Sequence, residues 1–188
     1  MATETRSPRE RKPPKPLDSQ RLEELALAYV ARFAVPAARL EGYLRRKLRE
    51  RGWAGEEEPP VAGLVARYVA AGYVDDAAWA GMKSASLLRR GFGHRRVDQA
   101  LGAAGIDEEL RRSLRAGEGE AREAAVRLAR RRGFGPFGRS LPDRPLREKQ
   151  LAAMLRAGHR LDMARQVVDA TEQAAIEEWV RAAPGDEA

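Results

Sequence analysis

Apolar residues recur at helical spacing along almost the whole chain, and little of it alternates like a strand. Leu22 and Ala26 lie on one stripe of a first helix, for which Asp18 is the expected N-cap. Pro36 stands at the first-turn position of a second helix, which carries leucines at four-residue steps over 40–48. This periodicity predicts an all-α protein.

The middle helix of each of three successive segments ends on a glycine. The three endings are Gly52-Trp53, Gly105-Ile106 and Gly158-His159. Such recurrence predicts an elongated array of three tandem three-helix repeats, each burying its apolar face mainly against its neighbours. The expected division is a disordered, basic and proline-rich tail (1–17), repeats over 18–74, 75–116 and 117–182, a loop over 133–146 inside the third repeat, and a C-terminal tail (183–188). One last helix is expected to run through Val168, Ile176 and Trp179.

Charge limits the partners of the chain more than any single motif does. Lysine and arginine number 35 against 28 aspartate and glutamate residues, a net charge of +7 at pH 7. The excess predicts a polyanionic partner, either nucleic acid or an acidic protein face, with anionic lipid less favoured. No stretch reaches the roughly 20 apolar residues that cross a bilayer, and residues 1–16 lack the apolar core of a signal peptide. We expect a cytoplasmic monomer without disulfides or membrane contact.

An acidic doublet, Asp75-Asp76, interrupts the chain before its most basic stretch. Gly72 is expected to end the preceding helix in a left-handed conformation. Asp75 is expected to cap the next helix and Asp76 to lie in its first turn, near the positive end of the helix dipole. Val74 and Trp79 have the spacing of a hydrophobic staple. Since only two histidines could join the doublet, we interpret it as a structural cap and expect neither catalysis nor a metal site.

The segment GFGPFG (133–138) has the three glycines of a dinucleotide-binding turn but not its context. That mechanism needs a strand before the glycines and a helix directly after them. Here an arginine-rich helix precedes the glycines and Pro136 stands among them, so we predict a connecting loop whose Phe134 and Phe137 fold back onto the core. Nothing else in the sequence predicts an enzyme or a cofactor.

Three basic concentrations are the candidates for binding a polyanion. The first group is Arg45, Arg46, Lys47, Arg49 and Arg51; the second lies in residues 77–97, which hold no acidic residue, and is Lys83, Arg89, Arg90, His94, Arg95 and Arg96; the third is Arg127, Arg130, Arg131 and Arg132. The third group follows several glutamates, and its charge could be balanced on a solvated helix face. Aromatic residues near the basic groups are few (Trp53, Phe92), so contact with phosphates or an acidic protein groove is favoured over base stacking.

Two stretches of the sequence resemble the RecX family of recombination regulators. GYVDDAAWA (72–80) is similar to the family's pattern at a helix end, and LLRRGFGHRRVDQALGAAGID (87–107) is similar to its second repeat. The chain departs from the family at Trp79, where phenylalanine is usual, at Pro36, near a usual serine cap, and at His159, where an apolar aromatic is usual. The resemblance implies a curved array of three-helix repeats that binds RecA along the groove of its filament and suppresses strand exchange and ATP hydrolysis, without enzymatic activity or a cofactor.

The resulting hypothesis is a RecA regulator whose arginine-lined face contacts DNA phosphate or acidic side chains of RecA. The second-repeat cations (83–96) would lie nearest to the filament, and the first-repeat arginines (45–49) would extend the track. A nonspecific DNA-binding or nucleoid-associated protein explains the charge equally well. A helix-turn-helix repressor is a third possibility, but no helix presents an obvious base-reading set of side chains.

Overall fold

Helices account for nearly all the regular structure of residues 15–184, the part of the chain that the computed structural model describes. In chain order the helices are α1 (Ser19–Val30), α2 (Ala37–Arg51), α3 (Val61–Ala70), α4 (Asp76–Arg89), α5 (His94–Gly102), α6 (Glu108–Ser113), α7 (Glu118–Arg132), α8 (Arg144–Arg156), α9 (Leu161–Val168) and α10 (Gln173–Arg181). A 3-10 turn, Gly135–Phe137, lies between α7 and α8. The all-α prediction is confirmed.

Three clusters of buried side chains follow one another along the chain. The first includes Leu22, Leu40, Leu44 and Leu64 from α1 to α3, and the second includes Leu88, Val97, Leu101 and Ile106 from α4 to α6. The third includes Leu128, Met154, Val167, Val168 and Ile176 from α7 to α10. Helix α7 gives Ala124 to the second cluster and Ala125 to the third. The second and third clusters therefore share a helix, whose burial couples them.

The folded region starts earlier than the predicted tail allowed. Leu17, placed in that tail, is fully buried in the first cluster. Its backbone forms a single parallel bridge with Trp53: the Leu17 N–H donates to the Gly52 carbonyl at 3.0 Å, and the Ala54 N–H donates to the Leu17 carbonyl at 2.8 Å. Residues 1–14 and 185–188, the remainder of the two predicted tails, lie outside the described residues.

The C-terminal segment departs from the prediction in two places. The expected last helix is two helices, because α9 ends at Val168 and α10 begins at Gln173. At the break, both carboxylate oxygens of Asp169 accept hydrogen bonds from Arg147 of α8, at 2.5 and 2.6 Å. The predicted loop 133–146 contains the 3-10 turn and ends where α8 begins at Arg144, after its N-cap Asp143. As expected, Phe134 and Phe137 pack against the third cluster.

The glycines that end α2, α5 and α8 mark equivalent junctions. Gly52, Gly105 and Gly158 stand 53 residues apart and all have positive φ, at 80°, 83° and 95°. A Cβ on Gly105 would lie 2.2 Å from the Cβ of Ala38 in α2, and a Cβ on Gly158 would lie 2.5 Å from the amide nitrogen of Arg96 in α5. In the second and third segments, this glycine thus packs against the first turn of the middle helix of the preceding segment. A Cβ on Gly52 would meet nothing within 4 Å.

Candidate polyanion-binding interface

The acidic doublet caps two helices rather than one. The Asp75 carboxylate accepts from the Ala78 N–H at 2.8 Å, which is the predicted N-cap bond of α4. The Asp76 carboxylate instead accepts from the Ala37 N–H at 2.7 Å, in the first turn of α2. Pro36, the N-cap residue of α2, offers no capping side chain, so Asp76 supplies the missing cap from 39 residues away. Sequence spacing could not reveal this second role.

The other two residues of the predicted cap, Gly72 and Trp79, lie at the same junction. Gly72 has a φ of 74° after α3, and the chain turns so that Val74 enters the first core cluster. Trp79 packs, half-buried, against the second cluster. The Arg39 guanidinium of α2 lies 5.9 Å from the Trp79 ring centroid. The GYVDDAAW segment therefore joins the first and second cores, and its two carboxylates are engaged by backbone amides.

The acid-free stretch of the second segment surrounds the short turn between α4 and α5. Arg89 and Arg90 are exposed at the end of α4, Arg95 and Arg96 are exposed in the first turn of α5, and Lys83 is half-buried on α4. Within residues 15–184, none of these five cations has a carboxylate oxygen within 4 Å. Cations in a first helical turn add to the positive end of the helix dipole. This end of α5 therefore favours an anion and has no internal one.

The pKa of His94 is affected by the same excess of positive charge. Its imidazole is half-buried as the first residue of α5. Burial lowers the pKa of His94 below its ordinary value, and the positive charges of Arg95, Arg160 and Arg115 lower it further, against a small opposing effect of Asp98. The lowered pKa favours the neutral form of His94 at pH 7, so the positive charge of this surface comes from its arginines and Lys83.

The second and third basic groups, separate in sequence, meet in space. The Arg131 guanidinium donates to the Arg90 carbonyl at 2.5 Å, and the Arg90 guanidinium lies 5.3 Å from the Phe92 ring centroid. Beside them is a cleft of about 250 Å³, which we call the junction cleft. It is lined by Phe92, Leu128, Arg131, Arg132, Phe134, Ala153, Arg156 and Ala157. Arg156 was not predicted from the sequence, because the residues next to it, Leu155 and Ala157, are uncharged.

Most of the other members of the first and third groups have acidic neighbours. In the third group, Arg127 pairs with Glu123, and Arg130 with Glu177 of α10 at 2.7 Å. In the first group the pairs are Arg45–Glu41 at 2.5 Å, Arg46–Glu50 at 3.6 Å and Lys47–Glu50 at 2.6 Å. Arg49 alone of the residues 45–49 is exposed without a carboxylate within 4 Å among residues 15–184. The first group therefore offers much less uncompensated charge than its sequence indicates.

Aromatic rings near the first basic group were underestimated from the sequence. Tyr43 of α2 has the Arg46 guanidinium 5.5 Å and the Lys47 ammonium 5.9 Å from its ring centroid. Its ring is stacked on that of Tyr29 from α1, with centroids 4.1 Å apart and an interplanar angle of 2°. The signal was present, since Tyr43 stands three and four residues before its cations, which is one helical turn.

Two kinds of feature are absent from residues 15–184. No group of three or more metal-ligating side chains converges there, and no helix combines the length and apolar character needed to span a bilayer. Fold and surface together define an all-α protein with an uncompensated arginine surface centred on the junction between its second and third cores.

Comparison with known proteins shows to which family this all-α protein belongs. The chain is 33% identical over 168 residues to the regulatory protein RecX of Myxococcus xanthus, covering 84% of this chain and 89% of the relative. It is 36% identical over 160 residues to that of Mycobacterium sp. (strain KMS), with 82% and 86% covered. The crystal structure of RecX from Lactobacillus salivarius superposes with a TM-score of 0.65 at 15% identity, covering 81% of this chain and 95% of that one. The sequence matches no family profile. The chain belongs to the RecX family of regulatory proteins.

Proposed function

We propose that this protein regulates RecA by stoichiometric binding to the RecA–DNA filament and that it inhibits ATP hydrolysis and strand exchange without chemistry of its own. The relatives' name supports a regulatory role, and the resemblance described above supplies RecA as the partner. The observation that carries the proposal is the meeting of Arg90 and Arg131 beside the junction cleft. It combines two basic groups into one surface for a polyanion.

Arginine suits this surface because its guanidinium forms bidentate contacts with phosphate or carboxylate and keeps its charge at any physiological pH. Arg95, Arg96, Arg132 and Arg156 have no carboxylate within 4 Å among residues 15–184. Binding a phosphate there releases counterions without first breaking an ion pair. The paired cations of α2, Arg45 and Arg46, would have to give up their glutamates, so we place them at the margin of the contact.

We infer that the array consists of three three-helix units over 17–74, 75–116 and 117–182, with α10 as an addition to the third, and that it acts as an elongated, curved monomer. Three successive cores and the repeated contacts of Gly105 and Gly158 with the preceding middle helix support this organisation. Such an array presents a long continuous surface. One molecule could then contact successive RecA protomers in a filament groove.

The proposal is tested by titrating the protein into RecA that hydrolyses ATP on single-stranded DNA, with DNA in large excess and salt held constant. Loss of hydrolysis well below one molecule per RecA is the expected result, because a bound regulator caps or locks many protomers. Inhibition that begins only when the protein coats the DNA would mean competition for phosphates. That outcome would replace the proposal with nonspecific DNA binding.

A further inference from the structure

A row of three aromatic rings crosses the first segment at the connection between α1 and α2. Phe33 is tilted by 55° against Tyr29, with centroids 5.5 Å apart, and Tyr29 is stacked on Tyr43. We call Phe33, Tyr29 and Tyr43 the aromatic row. The two tyrosines are half-buried against the first core, which anchors the row.

Phe33, at one end of the aromatic row, is exposed in a way that core packing does not explain. Its residue is 52% exposed, and it belongs neither to the first core cluster nor to the side chains packed against it. Its backbone is nonetheless held in place, because the amides of Arg32 and Phe33 both donate to the Tyr29 carbonyl, at 3.2 and 3.1 Å. A solvent-facing aromatic ring on an ordered backbone and against Tyr29 points to a ligand with a flat apolar face.

Cations lie beside the row at both ends. The Arg32 guanidinium is 5.7 Å from the Phe33 ring centroid, and Arg46 and Lys47 lie over Tyr43. Glu50 partly offsets the cations at the Tyr43 end. Arg32 has no carboxylate within 4 Å among residues 15–184. The exposed ring and the uncompensated charge therefore coincide at the Phe33 end.

We propose that the aromatic row binds single-stranded nucleic acid, with a base stacked on Phe33 and the neighbouring phosphate held by Arg32. Aromatic platforms flanked by cations bind unpaired strands in this way, because every base offers a π-face. A duplex keeps its bases stacked internally and could offer only its phosphates to the row. The site is in the first segment and needs no RecA, so it goes beyond the proposed function.

The test measures fluorescence anisotropy of labelled oligo(dT), a duplex of equal length and an abasic oligonucleotide, each with the protein alone. Phe33→Ala should raise the Kd for oligo(dT) about tenfold, the effect of losing one stacked base. It should leave the Kd values for the duplex and the abasic strand nearly unchanged. Phe33→Leu should behave like Phe33→Ala, since leucine keeps apolar surface but cannot stack, and Phe33→Trp should retain wild-type affinity.

Tyr73→Ala is the matched control. Tyr73 is also an exposed aromatic residue, at 62%, but it follows α3 and has no cation over its ring among residues 15–184. Its replacement should leave all three Kd values unchanged. Circular dichroism of each variant checks that helicity is retained.

Several results would overturn the assignment. They are no binding of oligo(dT) by the wild type, equal affinity in Phe33→Ala, wild-type affinity in Phe33→Leu, or an equal loss on the abasic strand. Loss of RecA inhibition with unchanged oligo(dT) affinity would assign Phe33 to a protein contact instead. The ATP hydrolysis titration uses wild-type protein and does not depend on the oligo(dT) measurements. The proposed regulation of RecA and the proposed strand binding can therefore fail independently.

Discussion

The imidazole Nε2 of His159 lies 3.0 Å from the carbonyl oxygen of Gly91, and the histidine is 1% exposed. Because a carbonyl only accepts, Nε2 must carry a proton and donate it, which fixes one neutral tautomer. The bond links the end of α8 to the turn after α4. His159 thereby adds a polar contact between the second and third cores.

This contact predicts pH-dependent stability. Burial is the main reason why the pKa of His159 lies below its ordinary value; the bond to Gly91 opposes the shift, and the charge of His94 adds to it. The unfolded chain therefore binds the proton first as pH falls below about 6.5, and the free energy of unfolding should fall by up to about 1.4 kcal/mol per pH unit. Urea unfolding of wild type and His159→Phe between about pH 7.5 and pH 5.5 checks this.

His94 also has a lowered pKa and contributes in the same direction, so His94→Gln serves as the matched variant. We expect His159→Phe to flatten the pH dependence more than His94→Gln does, because His159 is the more deeply buried of the two. An equally steep profile in His159→Phe and wild type would contradict the prediction.

The glycine junction predicts a large effect from one methyl group. In Gly158→Ala the new Cβ would meet the Arg96 amide at 2.5 Å, at a φ of 95°. Steric overlap and left-handed strain together should lower the free energy of unfolding by about 2–4 kcal/mol. Gly81→Ala, inside α4 with nothing within 4 Å of its Cβ, should instead raise it by about 0.5–1 kcal/mol. Denaturant unfolding measures both, and similar values would refute the role of the junction.

The remote cap predicts local opening of α2. Asp76→Ala should lower the free energy of unfolding by about 1 kcal/mol, as loss of an N-cap does, and should speed hydrogen exchange at the Ala37 amide. Asp75→Ala should cost a similar amount but affect the Ala78 amide instead, since each carboxylate accepts from a different helix. Exchange at Ala37 that is unaffected by Asp76→Ala would show that the bond is absent in solution.

Charge reversal tests the centre of the proposed interface. Arg95→Glu with Arg96→Glu should abolish inhibition of RecA while helicity is retained, because both side chains are exposed and unpaired with acids in residues 15–184. Arg139→Glu with Arg144→Glu makes the same charge change on exposed residues outside the junction cleft. This control should still inhibit RecA. Equal inhibition by the two double variants would remove Arg95 and Arg96 from the interface.

Ion pairing predicts which arginines contribute to salt-dependent DNA binding. Arg132→Ala with Arg156→Ala should reduce the slope of log K against log salt concentration by roughly 2, one for each lost phosphate contact. Arg45→Ala with Arg127→Ala should change the slope less, since each arginine already has a glutamate partner. Equal changes in slope would show that these ion pairs do not persist when DNA is bound.

Local signals accounted for what the sequence predicted correctly. Helical period, caps and glycine stops are encoded within a few residues, so the all-α fold and the bond from Asp75 to Ala78 were predictable. Contacts between distant helices were not. The reach of Asp76 to Ala37 and the arrival of Arg156 beside Phe92 depend on how the segments pack. Paired acids such as Glu50 likewise offset charge that a count of arginines overstates.

The contact at Gly158 has a consequence for divergence among relatives. Gly93 donates to the Ala157 carbonyl at 2.9 Å, and a Cβ on Gly93 would lie 2.4 Å from the Gly158 carbonyl carbon, so main chain meets main chain there. This part of the joint between the second and third cores therefore involves no side chain. Mutations elsewhere can accumulate without altering it, provided that both glycines are retained. Such a joint would allow the relative placement of the two cores to persist while the surface side chains of the protein change.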